Sequence, residues 1–113
     1  MIQIYHNQMC SKSREGFQII KESGKEFEVI DYIKNPFNIK ELKSVLAKLK
    51  IKPAELIRKN EAVWKEKYKN KNLNDEELIE IMIQHPNLIE RPIVINGSKA
   101  IIGRPPVLIK DIL

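Results

Sequence analysis

Residues 2–32, IQIYHNQMCSKSREGFQIIKESGKEFEVIDY, decide the fold. Alternating Ile2 and Ile4 mark residues 2–5 as a strand. Residues 11–23 then carry Phe17, Ile19 and Ile20 and stop at Gly24, a residue suited to the left-handed turn that closes helices. Phe27-Glu28-Val29-Ile30-Asp31-Tyr32 is rich in β-branched and aromatic side chains and reads as a second strand. Strand, helix and strand in that order form a crossover unit, with parallel strands and a right-handed connection.

Outward from this unit, Asn35-Pro36 breaks the chain, and Asn38 is placed to cap a helix carrying Ile39, Leu42, Val45, Leu46 and Leu49. Pro53 can start a short helix over residues 53–57 that brings Arg58 to its end. Residues 59–72 are polar and weakly periodic, which predicts short helix and loop. Asn74-Asp75-Glu76-Glu77 supplies a cap and first-turn acids to a helix running through Leu78, Ile81 and Met82 and ending before Pro86. The period then changes: Pro92-Ile93-Val94-Ile95 is a strand, Asn96-Gly97 a hairpin signal, and residues 99–102 the returning strand. Gly103-Arg104-Pro105-Pro106 turns the chain into a last helix reaching Leu113. The order βαβ, helical block, ββα predicts an α/β, thioredoxin-like fold with a mixed sheet. It is expected as one domain over residues 1–113, with a helical insertion at approximately 38–90. That fold sets a cis-proline opposite its cysteine, and Pro92, just before the third strand, is in the right place.

At 113 residues the chain can bury one real core. Its 42% hydrophobic and 31% charged residues are those of a soluble globular protein, and no stretch approaches the roughly 20 apolar residues of a membrane span. Met1-Ile2-Gln3-Ile4 lacks a signal-peptide pattern. A lone cysteine closes no internal disulfide and fits a reducing compartment, so the cytoplasm is expected. The net charge of +5 permits anionic partners. Lys65, Lys67, Lys69 and Lys71, interleaved with Glu66, Tyr68 and Asn70, read as a solvated face, and 6% aromatics offer few stacking platforms, so nucleic acid is not expected as a partner. Two histidines and one cysteine at these spacings give no zinc signature, and no glycine-rich phosphate loop occurs. No metal or bound cofactor is expected, and a monomer is.

Chemistry centres on Cys10. Free cysteines often serve as small buried hydrophobes. Here the neighbours Asn7, Ser11, Lys12 and Ser13 are polar, and the thiol sits where a strand gives way to a helix. The free N–H groups and dipole of a helix start favour the thiolate. Ser13 occupies the place where a two-cysteine redox motif carries its second sulfur, so an oxidised Cys10 must pass to an outside thiol. His6, four residues earlier, can stabilise the thiolate as imidazolium or simply pack. His85, at a helix end, reads as structural, and Trp64 and Tyr68 read as packing residues. The chain writes its positive charge as sixteen lysines and keeps arginine at Arg14, Arg58, Arg91 and Arg104 alone. A guanidinium is a planar, always charged fork suited to oxyanions. Arg91 and Arg104 each precede a proline at the two ends of the hairpin, which the fold brings near Cys10.

Five stretches, in order and at compatible spacing, resemble the glutaredoxin-linked arsenate reductases, the ArsC family of the thioredoxin-like superfamily. They are Tyr5-His6-Asn7 through Cys10 to Ser13-Arg14, Leu56-Ile57-Arg58-Lys59-Asn60, Gln84-His85-Pro86, Glu90-Arg91-Pro92-Ile93-Val94 and Gly103-Arg104-Pro105. The resemblance implies that Cys10 attacks arsenate held by Arg58, Arg91 and Arg104, with His6 assisting the thiolate and Asn7, Ser13, Arg14 and Pro92 in support. It implies glutathione as co-substrate, glutaredoxin as the partner resolving the mixed disulfide, arsenite as product, and a role in arsenical resistance. It also implies the cis form of Pro92. One departure is Gln8, where family members usually have proline, and the Gly103-Arg104-Pro105-Pro106 ending is similar to a sister branch. Two other readings stand beside this one: a thiol oxidoreductase acting on another substrate, and a redox-sensing transcriptional regulator binding RNA polymerase. Ser13 in place of a second cysteine weighs against the regulator.

Overall fold

The computed structural model describes residues 1–113 as two compact units, Met1–Asn35 with Arg91–Leu113, and Pro36–Glu90. In the first unit, β1 (Ile2–His6), α1 (Ser11–Glu22) and β2 (Phe27–Asp31) build the crossover, and β3 (Ile93–Asn96) and β4 (Lys99–Ile102) the hairpin. The sheet order is β2-β1-β3-β4. β1 runs parallel to β2, with Ile4 opposite Val29, and antiparallel to β3, with Ile4 opposite Val94. This is the mixed sheet of a thioredoxin-like fold. The period-2 pattern puts Ile2 and Ile4 on one face, where they form a core with Ile20 of α1, Val94 of β3 and Ile109 of the C-terminal segment. Phe17, Ile19, Phe27, Ile101, Ile112 and Leu113 pack around it.

The second unit is helical: α2 (Ile39–Leu49), α3 (Pro53–Leu56), α4 (Ala62–Lys67) and α5 (Asp75–Gln84), then a 3₁₀ turn at Pro86–Leu88. Asn38 and Asn74 each accept from the N–H three residues on, while Glu41 and Glu77 return the bond, so both helices open with a complete capping box. Leu42, Val45 and Leu46 of α2 are buried, as are Leu78, Ile79, Ile81 and Met82 of α5, whereas Ile39 is exposed. Trp64, Tyr68 and His85 stack in sequence within this unit, and the Tyr68 hydroxyl reaches His85 Nε2 at 3.4 Å. No helix is long and apolar enough to cross a membrane.

Three local expectations shift. The helix at Pro53 closes at Leu56, because Ile57 turns extended and pairs with Ile89 in an antiparallel bridge. Arg58 therefore follows a bridge, with its N–H donated to the Leu88 carbonyl at 2.7 Å, instead of ending a helix. At the hairpin, Asn96 remains in the strand opposite Lys99, and its side chain donates to the Ile112 carbonyl at 2.7 Å. The turn is thus Gly97-Ser98, with Gly97 at φ +64°, matching the turn type that wants glycine first. The last helix is 3₁₀, over Pro106–Ile112, beginning with the Leu108 N–H to Pro105 carbonyl bond. Pro105 and Pro106 supply no N–H, which starts the segment on a restricted backbone.

Gly16 of α1 is where the unit is tightest. A Cβ there would lie 2.8 Å from Pro92 Cγ and 2.9 Å from Ile109 Cδ1. In an exposed helix Gly→Ala gains about 1 kcal/mol. Here overpacking against a stiff proline ring reverses the sign, and Gly16→Ala should lower stability by about 1–3 kcal/mol in urea denaturation.

Candidate active site

The end of β1 and the start of α1 are joined by a β-turn over residues 7–10. Asn7 builds it: its carbonyl accepts from Cys10 N–H at 2.9 Å, and its side-chain Oδ1 accepts from Met9 N–H at 3.0 Å. Its own N–H donates to the Ser13 hydroxyl at 2.9 Å. Cys10 is half-buried and stands as the N-cap of α1, with extended backbone at φ −103° and ψ 125°. Ser13, three residues on, is 0% exposed. Its hydroxyl oxygen lies 2.7 Å from His6 Nδ1.

Burial pushes the Cys10 thiol up, but the N–H of Ser13, a hydrogen bond from Arg91, the N–H of Lys12 and the charge of Arg91 together outweigh it. The net result is a pKa lowered to about 7. The sulfur closes no ideal capping hydrogen bond, and the two N–H groups act on it as oriented dipoles at the helix start. His6 moves the other way from the imidazolium the sequence suggested. Burial holds its pKa below the usual value, with Asp31 and Ser13 opposing and Arg14 adding to the fall. A neutral ring with Nδ1 as acceptor lets the Ser13 hydroxyl take the Asn7 N–H and give its own proton to His6. His6 therefore touches Ser13 and not the sulfur, while the Ser13 N–H favours the Cys10 thiolate.

Arg91 is 8% exposed and lies against Cys10. Arg104 sends Nη1 to the Arg91 carbonyl at 3.2 Å, so a side chain at the hairpin exit touches the backbone at its entrance. Both peptide bonds that follow them, Arg91–Pro92 and Arg104–Pro105, are cis. Arg14 reaches the Gln8 carbonyl at 2.9 Å. The first unit thus gathers Cys10, His6, Asn7, Ser13, Arg14, Arg91, Pro92 and Arg104. Arg58 belongs to the second unit, where Nε lies 3.5 Å from Glu61 and the buried Nη1 has no hydrogen-bond partner. The turn-building role of Asn7 escaped sequence reasoning, although an Asn three residues before a helix cap is itself a turn signal. A surface depression of about 350 Å³ lies at the other end of α1, lined by Ile19, Glu22, Ser23, Lys110 and Leu113, away from the thiol. No three metal-ligating side chains converge.

A thioredoxin-like sheet that presents one acidified thiol beside the Arg91 guanidinium is the framework of a thiol-dependent class of protein. Residues 5–112 match the ArsC family, and the chain belongs to it. It is 42% identical to the uncharacterized protein YfgD of Escherichia coli, over 99% of this chain and 96% of that relative. An arsenate reductase of Haemophilus influenzae is 39% identical over 97% of both chains. Among solved structures, an arsenate reductase from Vibrio cholerae superposes with a TM-score of 0.94 at 37% identity, over 99% of this chain and 97% of the other.

Alkylation of Cys10 by iodoacetamide should reach half its maximal rate near pH 7, against about 8.5 for an ordinary thiol. Arg91→Gln should move that midpoint upward, because burial is then less opposed. For His6 the folded pKa lies below the unfolded one, so as pH falls the unfolded chain takes up the proton first. Its stabilising share is full above about pH 6.5 and is lost as pH drops towards the folded value. His6→Gln should accordingly flatten the slope of the urea midpoint below about pH 6.5.

Proposed function

We propose that this protein reduces arsenate to arsenite, with glutathione as co-substrate and glutaredoxin as the partner that returns the enzyme to its thiol form. Cys10 is the nucleophile. Arg58, Arg91 and Arg104 hold the oxyanion, the assignment of Arg58 carrying over from the sequence resemblance. The observation that carries this reading is the pairing of a thiol of pKa about 7 with the Arg91 guanidinium. Near neutral pH such a thiol is substantially ionised yet still nucleophilic, the balance that favours attack.

In the proposed reaction the thiolate attacks arsenic, a sulfur–arsenic bond forms, and the displaced arsenate hydroxyl takes up a proton from solvent and leaves as water. Guanidinium forks spread the negative charge of the bound oxyanion and orient it for in-line approach. The two electrons that take arsenic from the pentavalent to the trivalent state come from two thiols that end as a disulfide. Cys10 is one of the two; Ser13 has no sulfur to offer, so the second is the glutathione thiol from outside the chain, and glutaredoxin then reduces the mixed disulfide and restores the Cys10 thiol. Support also comes from family membership and from relatives named as arsenate reductases.

Arsenite production in the presence of glutathione and glutaredoxin tests this directly. The wild type should turn over, Cys10→Ser should not, and Arg58→Ala should lose about 10²- to 10³-fold, as expected when a group stabilising an oxyanion is removed. A wild type that makes no arsenite while Cys10 still ionises near pH 7 would assign the thiol to an oxidoreductase acting on another substrate.

A further inference from the structure

We infer that Arg14 is a positioning residue for the thiol: its guanidinium and the Asn7 side chain clamp the single peptide unit between Gln8 and Met9, and so fix the turn that delivers Cys10 to the start of α1. This inference rests on the reading of Cys10 as the nucleophile.

The clamp is visible at both ends of one peptide group. The Gln8 carbonyl accepts from Arg14 Nη1 at 2.9 Å, and the N–H of the same peptide, on Met9, donates to Asn7 Oδ1 at 3.0 Å. Residues 7–10 form a β-turn closed by the Cys10 N–H to Asn7 carbonyl bond, which makes this the central peptide of the turn. Central peptides are the units that rotate when a turn changes type, and the alternative type needs a positive φ at its third residue. Met9 is not a glycine, and its φ is not positive. Gln8 and Met9 are both exposed, Met9 at 85%, so packing does nothing to hold the unit. Arg14 holds it from outside.

Two further observations agree. Arg14 lies in the first turn of α1, where the helix dipole disfavours a cation, yet the chain spends one of its four arginines there. The backbone of Arg14 is itself anchored to the turn by the first helical bond of α1, its N–H to the Cys10 carbonyl at 3.0 Å, so the contact particular to the arginine is the one from its guanidinium to Gln8. Its charge is felt by His6, whereas the groups acting on Cys10 are Ser13, Lys12 and Arg91. Its route to the thiol is therefore geometric. Rotation of the 8–9 peptide redirects the chain entering Cys10 and takes the sulfur off the Ser13 N–H and Arg91.

The test is the pH profile of Cys10 alkylation in full-length protein, which needs no arsenate. Arg14→Met keeps the stem and removes the fork. It should raise the midpoint and slow alkylation at pH 7 by about two- to tenfold, the range set by losing one such hydrogen bond. Gln8→Pro, at the second turn position, restricts the same turn covalently. Combined with Arg14→Met it should return the rate to within about twofold of wild type, as an independent restraint on one turn is expected to do. Arg14→Lys should not restore it, because an ammonium lacks the fork. An unchanged midpoint in Arg14→Met overturns the inference, as does full restoration by Arg14→Lys without restoration by Gln8→Pro. Loss of arsenite production with this pattern intact would strike the proposed reaction and leave the role of Arg14 standing.

Discussion

Pro92 is the point on which the first unit closes. Its carbonyl accepts from Gly103 N–H at 2.8 Å, which ties the entrance of the hairpin to its exit. Its ring lies so near α1 and the hairpin exit that residues 16 and 103 both have to be glycine-sized. Ile109 fills the remaining space between the same two glycines and belongs to the apolar core. Arg91 immediately precedes this contact and Arg104 immediately follows Gly103, so backbone packing brings the two residues together, with Arg104 Nη1 on the Arg91 carbonyl, before any substrate is considered. A close-packed apolar contact thereby fixes the backbone from which both arginine side chains extend.

The thiol depends on a second balance, between burial and polarity. A fully buried cysteine would keep its proton, and a fully exposed one would gain little from Arg91 or from the helix start. Cys10 is half-buried at the N-cap, where desolvation is the largest single influence and is still outweighed by the sum of smaller opposing ones. The position of the residue in the turn matters more than any one partner. Asn7 enforces that position through three hydrogen bonds, each to a different residue within the following six.

Much of this was legible in the chain because it is written locally. The strand of Ile2 and Ile4, the caps at Asn38 and Asn74, and the stop at Gly24 all follow from residues within a few positions of one another. The elements that differed are those decided by distant partners. Ile57 leaves its helix for Ile89, thirty-two positions away, and Asn96 stays in its strand because the C-terminal segment offers the Ile112 carbonyl. The charge state of His6 was equally hidden, since it depends on how far the ring is buried beside Phe17 and on Ser13 seven residues later. The nearness of Arg91 to the thiol could be inferred from topology. Its hydrogen bond to the sulfur could not.

Ser13 carries a consequence for how such a protein can change over time. The residue is fully buried, and its oxygen sits at 2.9 Å from a backbone N–H and 2.7 Å from an imidazole nitrogen. A sulfur atom in that place would be larger and a poorer acceptor, in a position closed to solvent. Acquiring a second thiol by a single replacement would disturb the turn that activates the first. Single-thiol chemistry is therefore an inherited commitment here: a path to a self-contained dithiol pair would have to rebuild the partners of Ser13, Asn7 and His6, together with the sulfur it added.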